Sequence, residues 1–203
     1  VEEFNPDIIL VTHGHSDHLG DAMELSNKNN VPVAAIHEIS LFLSKQGINN
    51  IGVNIGGSFI YRGVKFTMLD AKHSSVLDIV EEPLPAGDAA SFLITLEDGT
   101  KLFHAGDTGL FGDMKTIIGE IYKPDIALLP IGDKFTMGPF EAALATRWID
   151  PKVALPMHYN TFPPIEQDPS IYANFVSQLN PNIDVVILNP GEYFEYNPEN
   201  YQD

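Results

Sequence analysis

Three histidines and one aspartate lie within six consecutive positions near the start of the chain. These are His13, His15, Asp17 and His18. Imidazole and carboxylate groups are common ligands of zinc and related divalent ions, so their spacing predicts a metal site rather than a chance group of surface histidines. His13 and His15 alternate on an extended loop and can share one ion, whereas Asp17 and His18 begin the next element and point elsewhere. Two ions are therefore expected.

Further ligands must come from later in the chain, and three candidates each follow a predicted strand. They are His73, Asp107 and His158. Sites built on a sheet scaffold usually form where strands give way to loops. Asp107 also lies between glycines in Gly106–Gly109, where the backbone can fold tightly and the carboxylate can bridge two ions. These residues are expected to complete the metal centre.

Strands and helices alternate in both halves of the chain. The short apolar run Ile8–Val11 predicts a buried strand that delivers the histidine cluster, and the spacing over Leu19–Asn29 predicts a helix after it. Further strands are predicted over Val33–Ile36, Phe59–Tyr61, Val64–Leu69, Ser91–Leu96, Lys101–His104, Ile126–Leu129, Val153–Leu155, Val185–Leu188 and Glu192–Tyr196. Further helices are predicted over Glu38–Gln46, Leu110–Tyr122, Pro139–Ile149 and Ser170–Leu179.

This order of elements, with a block of antiparallel strands between the two halves, predicts an α/β protein. The expected architecture is an αββα sandwich of two mixed β-sheets with helices on the outer faces, formed by a single domain over residues 1–203. The polar segment Ser74–Ala90 contains prolines and is too long for a simple turn. Loops of that length usually have a functional role or are mobile.

Composition excludes several classes of function. Cysteine is absent, so disulfides, thiolate metal sites and cysteine nucleophiles are excluded. The formal net charge of -17 and the lack of any run of Lys or Arg disfavour nucleic acid as a partner. No apolar segment reaches the ~20 residues that span a bilayer, and no signal peptide opens the chain. The expectation is a soluble, cytoplasmic protein with a small-molecule substrate and no membrane partner; a homo-oligomer is left open.

The order His13-x-His15-x-Asp17-His18, followed by His73, Asp107 and His158, resembles the metallo-β-lactamase superfamily. Four further segments resemble the metal-dependent hydrolases related to ascorbate-6-phosphate lactonase. These segments are Gly106–Gly109, Pro130–Gly132, Phe135–Gly138 and His158–Phe162. The resemblance extends from about Asn5 to Glu195. Members of that family begin with additional strands, whereas this chain opens with Val1–Phe4, so the fold is expected to lack its first strands.

The resemblance implies a ligand set for each ion. His13, His15 and His73 would hold the first ion, Asp17, His18 and His158 the second, and Asp107 would bridge both. Two divalent ions about 3.5–4 Å apart generate hydroxide at neutral pH and polarise the scissile group. Asp17 is the expected catalytic residue, orienting that nucleophile or carrying its proton. Zinc is the expected metal, with manganese, iron or nickel as alternatives.

Four other side chains are candidates for contact with substrate or for support of the ligands: His104, Thr108, Lys134 and Asn160. His104 either orients a ligand or packs within its strand. Thr108 and Asn160 have groups that can donate to a developing oxyanion, although Asn160 could instead only shape the loop behind His158. Lys134 or Lys72 could hold an anionic substrate group, the alternative being a solvated surface lysine. His37 is expected to be structural.

The function predicted from these residues is a metal-dependent hydrolase of a small lactone, ester or phosphorylated metabolite. A phosphodiesterase or nuclease of the same superfamily is the second hypothesis, which the acidic charge disfavours. A metal-binding module without turnover is the third, and the seven candidate ligands disfavour it.

Overall fold

The computed structural model describes residues 5–201, so the expectation that concerns Val1–Phe4 lies outside the described residues. The strands are β1 Ile9–Leu10, β2 Val33–Ile36, β3 Asn50–Val53, β4 Ser58–Tyr61, β5 Val64–Asp70, β6 Val76–Leu77, β7 Leu84–Pro85, β8 Ala90–Thr95, β9 Lys101–His104, β10 Ile126–Pro130, β11 Val153–Met157 and β12 Asp184–Val185. The helices are α1 Ser16–Leu19, α2 Ala22–Asn29, α3 His37–Lys45, a π-helix Met114–Tyr122, α4 Pro139–Ile149 and α5 Pro169–Leu179, with short 3₁₀ turns over Pro163–Ile165 and Pro198–Tyr201.

Two sheets form the centre of the molecule. The smaller has the order β1-β2-β3, and its strands are parallel. The larger has the order β12-β11-β10-β9-β8-β5-β4 and is mixed. Its strands β4, β5, β8 and β9 pair antiparallel, while β9 to β12 pair parallel. The predicted mixed pairing is therefore found in the larger sheet, whereas the smaller sheet, also expected to be mixed, pairs parallel throughout its described strands. Strands β6 and β7 form a separate hairpin.

Alternation along β8 separates two hydrophobic cores. Phe92 packs in the core between the sheets with Met68 of β5 and Val33 of β2. The next residue, Leu93, faces the other side of the large sheet and packs with Ile118 of the π-helix. Because successive side chains of a strand point to opposite faces, one strand contributes to both cores. Helices α2 and α3 cover the small sheet, and the later helices cover the large one, which is the predicted αββα architecture.

Local signals predicted most elements, with several corrections. The helix predicted over Leu19–Asn29 is divided at Gly20, whose φ of 30° does not continue a helix. The helix predicted from Leu110 begins at Met114. Strand β3 was not predicted. The strand predicted over Glu192–Tyr196 is wrong, because an alternating pattern forms a strand only where a sheet edge is available to pair with it. No helix in the described part of the chain is long and apolar enough to cross a bilayer.

Candidate metal centre

The direction of the strands brings the three candidate ligands from later in the chain to one edge of the large sheet. Strand β8 pairs antiparallel with both β5 and β9, and β9 to β11 are parallel, so β5, β9 and β11 all run the same way. His73, Asp107 and His158 each follow the carboxyl end of one of these strands. The small sheet is tied to the same edge, since the Ala90 amide donates to the Thr12 carbonyl at 2.9 Å.

The backbone of the His13–His18 segment changes conformation between its first two candidate ligands and its last two. His15 is extended, with φ -62° and ψ 149°, and it precedes the single turn of α1 that carries Asp17 and His18. Gly14 is required between the first two histidines, because a Cβ there would lie 2.6 Å from the Ala86 Cβ and 2.8 Å from a backbone oxygen. The close packing of the later loop on Gly14 therefore fixes the direction of the cluster.

Candidate ligand atoms form three overlapping groups, within each of which all atoms lie within 4.8 Å of one another. The groups are His13 with His15 and His73, His13 with His18 and Asp107, and Asp17 with His18 and His158. In the first group, His13 Nε2 lies 2.9 Å from His15 Nδ1. All seven residues predicted as ligands are thus brought together.

The Asp107 carboxylate lies between these groups. Its Oδ2 is 3.4 Å from His18 Nε2, 3.6 Å from His73 Nε2 and 3.3 Å from His158 Nε2. Asp17 Oδ2 lies on the outer side, 3.5 Å from the Nε2 atoms of His18 and His158. Asp107 is buried, whereas the Asp17 side chain is 59% exposed. One carboxylate is therefore central to the cluster and the other is open to the pocket.

The donor set fits divalent metal ions. His18 Nε2, Asp107 Oδ1 and His158 Nδ1 are buried and have no hydrogen-bond partner. Buried polar atoms are usually paired, so unpaired nitrogen and oxygen atoms among so many converging lone pairs are suited to binding a metal ion. Imidazole and carboxylate together suit zinc, manganese, iron or nickel.

Protonation states in the cluster also suit metal binding. Burial and the neighbouring imidazoles lower the pKa of His13 to about 3, and burial lowers the pKa of His73. Burial disfavours the imidazolium of His18, but the Asp107 and Asp17 carboxylates outweigh it and raise its pKa. Burial likewise opposes ionisation of Asp107, yet the imidazoles around it, His18 first, lower its pKa. His13 and His73 are therefore favoured as neutral imidazoles and Asp107 as an ionised carboxylate, the forms that coordination requires, whereas His18 holds its proton more tightly until a metal displaces it.

His158 has a left-handed backbone, with φ of 55°. A non-glycine residue in this region costs about 1–2 kcal/mol. The strain is held by the following loop, in which the Asn160 amide donates to the Ile165 carbonyl at 3.0 Å and Asn160 Oδ1 accepts from Gln167 N at 2.8 Å. Asn160 therefore shapes the loop behind His158, and it lines a different surface pocket, with Glu166 and Asp168, from the one above the cluster.

The structure places the other predicted residues outside direct contact with the pocket. Thr108 was expected as an oxyanion donor, but its hydroxyl donates to the Gly109 carbonyl and accepts from the Lys72 amide at 2.9 Å. It therefore joins the loops that carry Asp107 and His73. His104 Nδ1 accepts from the Gly106 amide at 3.2 Å, which supports the Asp107 loop from its strand.

The charged candidates and His37 also lie away from the ligands. The Lys72 ammonium pairs with Asp70, and Lys134 Nζ lies 5.4 Å from the centroid of the Phe135 ring. His37 is exposed and begins α3, outside the three groups of ligand atoms found among the described residues. Neither lysine lines the pocket above the cluster.

That pocket has a volume of about 360 Å³ and exposes His15, Asp17, His73, Asp107 and His158 at its base. A larger cavity of about 600 Å³ lies around Trp148 and contains none of the candidate ligands. Donor chemistry therefore assigns the site to the smaller pocket.

Sequence reasoning missed several residues of this site, which are Thr12, Ser74, Asp78 and Phe162. Thr12 Oγ1 lies 3.0 Å from His13 Nδ1, and Ser74 Oγ lies 3.5 Å from His15 Nε2. Metal-binding imidazoles usually bond a protein group through their second nitrogen, so the hydroxyl residue beside His13 was a usable signal. Asp78 and Phe162 reach the pocket only through the folding of their loops.

Comparison with known proteins agrees with this geometry. The family model described as "Beta-lactamase superfamily domain" matches residues 2–159. A "UPF0173 metal-dependent hydrolase" from Methanobrevibacter smithii is 99% identical over 203 residues, covering 100% of this chain and 85% of that relative. The chain belongs to the beta-lactamase superfamily, among the UPF0173 metal-dependent hydrolases.

Solved structures of other superfamily members show the same fold. Igni18, described as a novel metallo hydrolase from Ignicoccus hospitalis, is 39% identical with a TM-score of 0.86, over 97% of this chain and 83% of that one. The metallo-beta-lactamase fold protein YhfI from Bacillus subtilis is 14% identical with a TM-score of 0.68, over 90% of this chain and 74% of that one. The second likeness concerns the fold alone.

The Thr12 contact gives a test of the superfamily ligand set. Thr12→Val is expected to weaken metal binding by about 10- to 100-fold, because it removes the oxygen that orients His13 and retains the side-chain shape. Titration of the metal-free protein with zinc measures the effect. Thr67→Val, at another buried threonine, is the matched control and should bind zinc as the parent does. Unchanged affinity in Thr12→Val would refute the orienting role.

Proposed function

We propose that this protein is a hydrolase with two divalent ions, zinc by preference, at the seven-residue cluster. The observation that supports this proposal most directly is the position of Asp107 Oδ2, which lies 3.3–3.6 Å from three Nε2 atoms of different ligand groups. His13, His15 and His73 would hold one ion, Asp17, His18 and His158 the other, and Asp107 would contact both. When bound, such ions supply Lewis acidity and a water that is nucleophilic at neutral pH.

The chain's own residues perform the other parts of hydrolysis. Asp17 is the carboxylate open to the pocket, so it is the group placed to accept a proton from the attacking water and return it to the leaving oxygen. Asp107, being buried and ionised, keeps a fixed negative charge at the centre of the imidazoles. Thr108 and His104 act as positioning residues, since each holds the backbone on which Asp107 is carried.

The pocket favours a small substrate. Its volume of about 360 Å³ falls within the range of small-molecule sites, about 300–1,000 Å³. Lactones and esters suit this chemistry, because their hydrolysis needs a nucleophile, a polarised carbonyl and a proton carrier.

Both cores share strand β8, and the ligands come from both sheets, so we propose that residues 1–203 act as one domain.

Hydrolysis by the zinc-loaded protein tests this function. Matched panels of aryl esters, lactones and phosphodiesters should reveal ester or lactone turnover that decreases by about 10³-fold in His15→Ala, since several kcal/mol of transition-state stabilisation is lost. His37→Ala removes an exposed histidine outside the cluster and should retain the parent's rate. A His15→Ala variant as fast as the parent would refute the mechanism. Stoichiometric zinc binding with no turnover on any panel would indicate a metal-binding module instead.

A further inference from the structure

The outer wall of the pocket carries an acidic group and two aromatic rings. Beyond the candidate ligands, it is lined by Ser74, Asp78, Phe135 and Phe162. No lysine or arginine among residues 5–201 lines it. Sites that bind phosphate or carboxylate groups normally present arginine, lysine or a helix N-terminus to the anion. Outside the proposed metal ions, the lining formed by the described residues therefore presents no cationic side chain to an anionic group of a substrate.

The nearest cations are engaged elsewhere. The Lys72 ammonium pairs with Asp70 and lies 5.6 Å from the centroid of the Phe111 ring, on a different surface from the pocket. Lys134 is exposed and stacks against Phe135 without lining the pocket. Neither of the lysines that were candidates for holding an anionic substrate therefore lines the pocket, whose outer wall carries Asp78.

Asp78 is held at the opening by the loop around it. Ser16 Oγ donates to Asp78 Oδ2 at 3.4 Å, and the Gly14 amide donates to Ser75 Oγ at 3.2 Å. The loop thus rests on the same turn that carries the opening ligands. Asp78 therefore presents a carboxylate group to each molecule that enters the pocket. A carboxylate at the opening disfavours substrates that carry a negative charge of their own.

The same pocket is also lined by two aromatic rings. The Phe135 and Phe162 centroids lie 6.2 Å apart with an interplanar angle of 29°. Both side chains are largely open, at 46% and 40% exposure, so their rings are accessible to a ligand. A planar apolar group of a substrate can stack on them and exclude water from the base of the pocket.

We propose that the substrates are esters or lactones without an anionic group, carrying a flat apolar portion that stacks on Phe135 and Phe162, and that Asp78 rejects phosphorylated and carboxylated compounds. This inference rests on the proposed hydrolase function. In the reaction, one water adds across the acyl C–O bond, which breaks to give a carboxylic acid and an alcohol. The proposal thus favours the lactones and esters expected from the sequence over the phosphorylated metabolites.

A set of para-substituted phenyl acetates with different charges tests the proposal, with each kcat/KM divided by the rate constant of that compound with hydroxide to remove differences in leaving-group reactivity. With the zinc-loaded protein, kcat/KM for the methyl and trimethylammonium compounds should exceed that for the carboxylate compound by at least about tenfold. Asp78→Asn should increase, several-fold, the ratio of kcat/KM for the carboxylate compound to kcat/KM for the methyl compound. Glu120→Gln makes the same charge change on the exposed side of the π-helix and should not alter this ratio.

A separate measurement tests the role of the two aromatic rings. Phe162→Ala and Phe135→Ala should each raise KM for phenyl acetate several-fold and leave kcat near the parent's, because stacking binds ground and transition states alike. Methyl acetate, which has no ring, should show no such change. Both side chains are exposed, so the variants should fold.

Failure of the inference and failure of the function give different results. Preference for the carboxylate compound in the parent, or an Asp78→Asn effect no larger than that of Glu120→Gln, would overturn the charge selection while ester hydrolysis stands. Equal KM changes for phenyl and methyl acetate would overturn the stacking role. Absence of turnover on every ester by protein with bound zinc would instead refute the hydrolase function.

Discussion

Asp107→Asn is expected to reduce hydrolytic turnover by about a thousandfold, a loss of about 4 kcal/mol of transition-state stabilisation. The Asp107 carboxylate reaches imidazoles of both proposed sites, with its Oδ2 within 3.6 Å of His18, His73 and His158. Asparagine has nearly the same shape but no charge, and its amide nitrogen offers no lone pair to a metal. We therefore also expect the bound metal to fall from two ions per chain to one or none.

Metal analysis and steady-state kinetics on the same preparation measure both effects. Asp113→Asn is the control, because Asp113 is an exposed carboxylate that accepts a hydrogen bond from the Thr116 hydroxyl and is not among the candidate ligands. It should retain the parent's metal content and turnover. Two ions per chain and the parent's turnover in Asp107→Asn would refute the bridging role.

Elements with strong local signals were predicted well. Helix Pro139–Ile149 was predicted with the observed bounds, because a proline begins it and its apolar spacing continues to the end. Strand Lys101–His104 was likewise confirmed. Strand β3 contains asparagine and glycine in Asn50–Val53 and forms by parallel pairing with β2, which no local pattern reveals. The π-helix Met114–Tyr122 packs so closely on α4 that a Cβ on Gly119 would lie 2.2 Å from the Trp148 carbonyl oxygen.

The ligand cluster was predictable for a topological reason. His73, Asp107 and His158 each follow a strand, and strands that run in one direction bring their carboxyl ends to one edge. Supporting roles were harder to predict, because they depend on which loop touches which. Thr108 had the right chemistry for an oxyanion donor, yet its hydroxyl is used by two backbone groups. Asp78 had no local signal and gained its place only from contact with α1.

Removal of the metal is expected to abolish hydrolysis and to destabilise the fold. Each ion bound to the native state alone contributes about 4 kcal/mol at a free concentration about 1,000 times its Kd. The cluster ties the small sheet to the large one, since His13, His15 and His18 follow β1, whereas His73 and His158 follow β5 and β11. Urea unfolding with zinc and with a chelator measures the difference, and the same comparison on Asp107→Asn should give a smaller one.

Proton competition distinguishes this stabilisation from a nonspecific effect of zinc. The pKa of His18 is raised in the metal-free protein because Asp107 and Asp17 outweigh the effect of burial, so zinc must displace a proton there. Affinity, and with it the zinc-dependent gain in the free energy of unfolding, should therefore be full above that raised pKa and decrease as the pH falls through it. His13 should not add to this loss until much lower pH, since its pKa is about 3. A zinc-dependent gain that is constant from pH 8 to pH 5 would contradict coordination through His18.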